Sequence, residues 1–163
     1  MHDILTVKKD DLENAKLDGD YIGLLIDRYV ELWDAEPDNV LVNFSDDQLS
    51  LFMYGNMYNQ VQNGGFLQLL FNGYGPYVFG SPLAGALKAW GAASTAHLLE
   101  SIEERCFEVV TELKDQPILE ELSELYAKYP EFTGYDSRFN NNDGLKAVRA
   151  FVEANLADFI TVI

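Results

Sequence analysis

The sequence predicts an all-α protein, a single compact multi-helix domain of about six to eight helices. Apolar residues return at intervals of three and four in one segment after another, and no stretch sustains the period of two that a half-buried strand shows. Proline, glycine and capping residues fall at the ends of those segments. The 163 residues are 48% hydrophobic and 13% aromatic, enough for one sizeable core. Neither a fixed-period repeat nor a low-complexity linker divides the chain.

The elements follow in order. Residues 20–36 read as a helix because Tyr21, Leu25, Tyr29, Leu32 and Trp33 return to one side, and Pro37 marks its end. Ser45 followed three residues later by Gln48 is a capping-box signature, and Leu49, Phe52, Met53, Met57 and Val61 then trace an amphipathic stripe. Asn63-Gly64-Gly65 breaks that helix. Residues 66–71 suit a buried helix of about two turns, although their length also admits a strand. Gly73-Tyr74-Gly75-Pro76 reads as a loop, and Ser81-Pro82 as a cap and first-turn proline for a helix with Leu83, Ala86, Leu87 and Trp90 that ends near Gly91. Ser94 is placed to cap the longest helix, in which Thr95, Leu98, Leu99, Ile102, Cys106, Val109, Val110 and Leu113 share a face. Pro117 starts another, with Leu119, Leu122, Leu125, Tyr126 and Tyr129, closed by Pro130. Residues 134–144 read as a polar loop. Asp143 is placed to cap the last helix, with Leu145, Val148, Val152, Leu156 and Phe159 at helical spacing within residues 143–163.

Charge is the outlier: 27 acids against 11 bases give a formal net charge of −16. Such a field repels nucleic acid and anionic membranes and attracts basic proteins, so direct nucleic-acid binding and membrane association are not expected. The charge is also segregated. Residues 1–47 form an acidic block, with 13 acids and 4 bases; residues 48–99 form an acid-free core segment whose one base is Lys88; residues 100–131 form a second acidic block, with 10 acids and 3 bases. The start of the chain lacks the apolar stretch of a signal peptide or membrane span, and the single Cys106 has no internal disulfide partner. Both point to a cytoplasmic protein.

On the first long helix, at 100° per residue, Asp20, Asp27, Glu31, Asp34 and, if the turn persists past Pro37, Asp38 fall in a narrow stripe. On the later one, Glu100, Glu103, Glu104, Glu108, Glu112 and Asp115 lie opposite the apolar face, and Glu120, Glu121 and Glu124 continue the pattern. Ordinary solvated faces mix signs at i,i+4, where like charges cost a few tenths of a kcal/mol. Glu100, Glu104, Glu108 and Glu112 make three consecutive like-charged steps, with Arg105 and Lys114 nearby to dilute them. Rows of carboxylates about 6 Å apart along a helix offer a basic groove the charge it expects from phosphates.

Other chemistry finds little support. His2 and His97 stand outside any ligand-spaced cluster, so no metal site and no cofactor are expected. His97 and Cys106, nine residues apart on one helix, point to opposite sides and do not form a base–nucleophile pair. In the calcium-like run 136–144, Arg138 takes a ligand position and Asn141 stands where the turn glycine belongs. Most carboxylates are expected to be exposed, with ordinary pKa values. The cluster Tyr58, Asn59, Gln62, Asn63, Gln68 and Asn72 admits either backbone hydrogen bonding around a tight turn or a small-ligand pocket.

Asn59-x-x-x-Asn63-Gly64-Gly65-Phe66-x-Gln68-x-x-x-Asn72, with the later Ala86-Leu87-x-x-x-Gly91-Ala92 and the Leu98-Leu99 helix, resembles a bacterial family of helical domains carrying an NGGFxQ motif and known for a DNA-mimic member. The likeness covers roughly residues 48–105. It implies a non-enzymatic homodimer whose carboxylates occupy the DNA-binding surface of a basic partner, a helix-turn-helix transcriptional regulator, blocking its DNA binding and so modulating transcription. The signature itself contains no acid. Asn63, Gly64, Gly65, Phe66, Gln68 and Asn72 are therefore assigned to building the fold, and recognition to the acidic faces. The alternative is an acidic interaction or immunity-type module whose partner does not bind DNA.

Overall fold

A computed structural model describes residues 5–38, 43–114 and 121–163. Nine α-helices lie among them: α1 (Lys9–Asn14), α2 (Asp18–Ala35), α3 (Asp46–Phe71), α4 (Gly75–Phe79), α5 (Leu83–Ala89), α6 (Ala93–Lys114), α7 (Leu122–Lys128), α8 (Phe132–Asn140) and α9 (Gly144–Ala154). Seven have seven residues or more, and a single 3-10 turn, Leu156–Asp158, follows α9. Two short strands, β1 (Thr6–Val7) and β2 (Thr161–Val162), pair in parallel with Thr6 opposite Thr161 and Val7 opposite Val162. A two-residue strand is too short to show a period, so the sequence pattern misses this ladder.

The middle of the molecule is α3. It begins with a complete capping box: the Ser45 hydroxyl accepts the Gln48 N–H at 3.1 Å, and the Gln48 side chain accepts the Ser45 N–H at 3.0 Å. Its buried residues, among them Leu51, Phe52, Tyr54, Met57, Val61, Phe66 and Leu69, point in several directions, so α2 and α4 to α8 all pack around it. The break expected at Asn63-Gly64-Gly65 is present: α3 consists of two helical limbs that meet at a kink there. Gly65 has φ 78° and ψ −174°, and the helix resumes after it through residues 66–71, which removes the strand option. Gly73, at φ 83°, ends the helix: its N–H reaches Leu70 O, and the Tyr74 N–H reaches Leu69 O, a Schellman closure.

Several sequence expectations are corrected. Residues 134–144 are mostly helix, because Phe132, Tyr135, Asp136 and Phe139 keep helical spacing beneath the Asn, Ser and Gly that suggest a loop. Part of the expected 73–76 loop opens α4, with Pro76 in the first turn, where its missing N–H costs nothing. The residue flanking α5 is Pro82 itself, with the Ser81 hydroxyl accepting the Leu83 N–H at 3.4 Å. Ser94 lies inside α6, which starts at Ala93. Asp143 flanks α9 without a side-chain bond; Asn142 Oδ1 accepts the Gly144 N–H instead, at 2.8 Å. Helix α9 ends at Ala154, so Leu156 and Phe159 belong to the turn and the segment beyond. That segment is anchored: the Tyr29 hydroxyl donates to Phe159 O at 2.7 Å, and Gln48 Nε2 donates to the same oxygen at 3.2 Å. The expected helix start at Pro117 and its Leu119 lie outside the described residues. No helix among the described residues is long and apolar enough to cross a membrane.

Candidate functional site: two carboxylate-bearing helix faces

Helix α2 buries Tyr21, Ile22, Leu25, Ile26, Tyr29 and Leu32, which turns the opposite face outward. Asp20, Asp27, Glu31 and Asp34 are all exposed there. Arg28 Nη1 pairs with Glu31 at 3.1 Å, while Asp20, Asp27 and Asp34 have no cation partner among the described residues. Asp38 is exposed too, but the helical stripe does not run on to it, because Glu36 leaves helical geometry at φ −147° and ψ 75°.

Helix α6 buries Thr95, Ala96, Leu98, Leu99, Ile102, Cys106 and Val109, and Glu100, Glu103, Glu104, Glu108 and Glu112 are exposed. The expected like-charged row is relieved by Arg105 of the same helix and by groups from elsewhere in the fold. Lys88 of α5 meets Glu100 and, chiefly by its hydrogen bond, holds that carboxyl below its usual pKa. Arg105 reaches Glu108 at 2.9 Å and Glu131 at 2.7 Å. Partial burial pushes Glu131 up, but the Arg105 hydrogen bond and charge outweigh it and bring the carboxyl down. The Tyr129 hydroxyl donates to Glu112; burial, with that carboxylate beside it, pushes the phenol up to about 12. Glu103 and Glu104 have no cation partner among the described residues. Glu121 and Glu124, at the start of α7, are exposed, and Asp115 and Glu120 lie outside the described residues.

The helices α2 and α6 each pack against α3 and α9 and are not extensively packed on one another.

The Asn/Gln/Tyr cluster does not gather into one pocket. Gln60 Oε1 accepts from Gln68 Nε2 at 3.1 Å and Asn72 Nδ2 at 2.9 Å, tying the two limbs of kinked α3. Tyr58 and Gln62 line one hollow and Asn72 another, and Asn59 and Asn63 are exposed. At the kink, Asp136 of α8 accepts the Phe66 N–H, and Tyr126 of α7 reaches both that carboxylate and Gly64 O. The sequence reading misses Asp136 by treating its segment as a loop; its position among Phe132, Tyr135 and Phe139 was the available signal. It is also an exception to the expectation of ordinary carboxylate pKa values: burial raises Asp136, with the Tyr126 and Phe66 hydrogen bonds opposing. His97 is exposed beside Glu100, whereas Cys106 is buried and its thiol is pushed up to about 12 by burial and the Glu103 charge. No group of three or more metal-ligating side chains occurs among the described residues.

Fold and surface together define a helical protein that presents carboxylates on the outer faces of two of its longest helices. The chain belongs to the DMP19-like protein family, whose model matches residues 42–155. The DNA mimic protein DMP19 of Neisseria meningitidis serogroup B (strain ATCC BAA-335 / MC58) is 30% identical over 118 residues, covering 71% of this chain and 70% of that one. The family match contains α3 to α9 and leaves α2 outside it.

Proposed function

We propose that the chain is a DNA mimic, a non-catalytic cytoplasmic protein that occupies the DNA-binding surface of a basic DNA-binding protein and blocks its access to DNA. A helix-turn-helix transcriptional regulator is the partner that this reading favours, with altered transcription as the result, and the mimic acts as a homodimer. The observation that carries the reading is the exposure of every described carboxylate of the two stripes, with Asp20, Asp27, Asp34, Glu103 and Glu104 among those that have no cation partner among the described residues. The similarity to a protein named as a DNA mimic supports it. Helix α6 lies within the family match and is the stronger candidate surface; α2 adds a second.

The test is capture of DNA-binding proteins on the immobilised chain, followed by elution with duplex DNA. Association driven by charge should be fast at low salt and weaken steeply as salt rises. Asp27→Asn with Asp34→Asn, and Glu103→Gln with Glu104→Gln, neutralise partner-free acids and leave the Arg105 and Tyr129 contacts intact. Partner binding unchanged by both pairs would overturn the reading. Captured partners that duplex DNA does not displace would favour an acidic interaction module instead. Sedimentation analysis reads the dimer independently.

A further inference from the structure

A hollow of about 410 Å³ opens between the start of α2, the middle of α3, the end of α8 and the start of α9, within the usual size of small-molecule sites. Tyr54 forms part of its wall. The residue is only 1% exposed, and its ring stacks on Tyr58 at 6.3 Å and 28°. Its hydroxyl nevertheless has no hydrogen-bond partner among the described residues. No fully enclosed side-chain polar atom among the described residues goes unpaired, so this oxygen keeps its small opening to the hollow. A hydroxyl with so little access to water gains from a partner that enters beside it. Phe139 and Leu145 supply apolar lining.

The charges of the lining divide cleanly. Asp18 is held by Arg149 at 3.2 Å. Asp143 and Lys146 carry opposite signs three residues apart at the start of α9, and neither is ion-paired with the other or with anything else among the described residues. Nearby amides are already engaged: Gln62 Nε2 donates to Asn140 Oδ1 at 2.6 Å, and Asn142 Oδ1 accepts from Thr95 and Gly144. What stays available is one carboxylate, one ammonium and the hydroxyls of Tyr58 and of the largely buried Tyr54, beside aromatic and aliphatic surface.

We propose that this hollow binds a small zwitterion, a free amino acid with an apolar or aromatic side chain. Asp143 takes its ammonium, Lys146 its carboxylate, and Tyr54 a hydrogen bond, while the side chain lies against Phe139 and Leu145. A simple cation or anion would leave one of the two opposite charges unmatched. This site is independent of the acidic stripes.

The test is titration of the full chain with phenylalanine, phenethylamine and 3-phenylpropionate, by calorimetry and by NMR shifts of Tyr54 and Phe139. Phenylalanine should bind saturably, and each singly charged analogue about tenfold or more weaker, since a charge-assisted hydrogen bond contributes roughly 1.5–3 kcal/mol. Asp143→Asn should weaken phenylalanine and phenethylamine but spare 3-phenylpropionate, and Lys146→Gln should do the reverse. Both positions are exposed, so folding is preserved. Tyr54→Phe should weaken the amino acid while helical circular dichroism is retained. Absence of saturable binding by both phenylalanine and leucine, analogues that bind as well as the amino acid, or affinities indifferent to all three substitutions would each overturn the proposal.

Discussion

The carboxylate of Asp136 in α8 accepts the backbone N–H of Phe66 in α3 at 2.8 Å, immediately after the left-handed Gly65, and its other oxygen meets the hydroxyl of Tyr126 in α7. One side chain thus fastens three helices at the kink. The kink frees backbone groups that a straight helix would pair internally, and Asp136 and Tyr126 satisfy two of them. Asp136→Leu should lower stability by about 1–3 kcal/mol in urea denaturation, because it strands a part-buried N–H. Asp136→Asn, whose carbonyl can still accept that N–H, should retain most of it. Equal losses for the two would remove the hydrogen-bond explanation.

The same carboxyl gives stability a pH dependence. Burial raises its pKa in the folded state, against an unfolded value of about 3.9. A raised folded pKa means that the stabilising contribution is fully present below the unfolded value and is lost as pH rises through the folded one. From about pH 4 upward, the wild type should therefore lose stability relative to Asp136→Asn until the folded midpoint is passed. A difference that does not change with pH would contradict this assignment.

Gly65→Ala should destabilise by at least about 1–3 kcal/mol, because φ is 78° and an added Cβ would collide with the Tyr126 hydroxyl and the Asp136 carboxylate. Gly23→Ala is the control. That glycine lies inside α2, and a methyl added there would meet nothing within 4 Å, so the alanine should stabilise by roughly 0.5–1 kcal/mol. Melting temperatures of the two variants read both outcomes.

Neutralising Glu104 should leave thermal stability within about 0.5 kcal/mol of wild type, since that carboxylate repels its neighbours and binds nothing among the described residues. Arg105→Met should instead cost up to about 1 kcal/mol, because Arg105 joins Glu108 to Glu131 and its guanidinium lies 5.4 Å from the Tyr129 ring centroid. Reversal of that ranking would show that the row on α6 is not relieved in the way the structure describes.

Cys106 should resist iodoacetamide at pH 8 in the native protein and react readily in denaturant. Its thiol is buried and pushed up to about 12, so thiolate is scarce at that pH. Fast labelling of the native chain would show that α6 opens far more often than its packing allows.

The helical architecture was legible because its signals are local. The Ser45–Gln48 box, the apolar stripes of α2 and α6 and the glycines around the kink each act over a few residues. The exposure of the acidic faces followed from the same geometry, since a helix that buries one side must present the other. What the sequence concealed depends on partners distant along the chain. Lys88 of α5 meets Glu100 of α6, Arg105 spans to Glu131, and Asp136 acts on Phe66, seventy positions away. Helix α8 was missed because asparagine, serine and glycine carry loop statistics that tertiary burial of Phe132 and Phe139 overrides.

The ladder between β1 and β2 has a consequence for synthesis. Thr161 N donates to Leu5 O, Ile163 N to Val7 O, and Lys9 N to Ile163 O, so the first described residues are clasped by the last. On a translating ribosome the helices can begin to pack while Val7 still waits for its neighbour. The clasp closes only after residue 163 has left the exit tunnel, which makes it a latch set by the emergence of that segment.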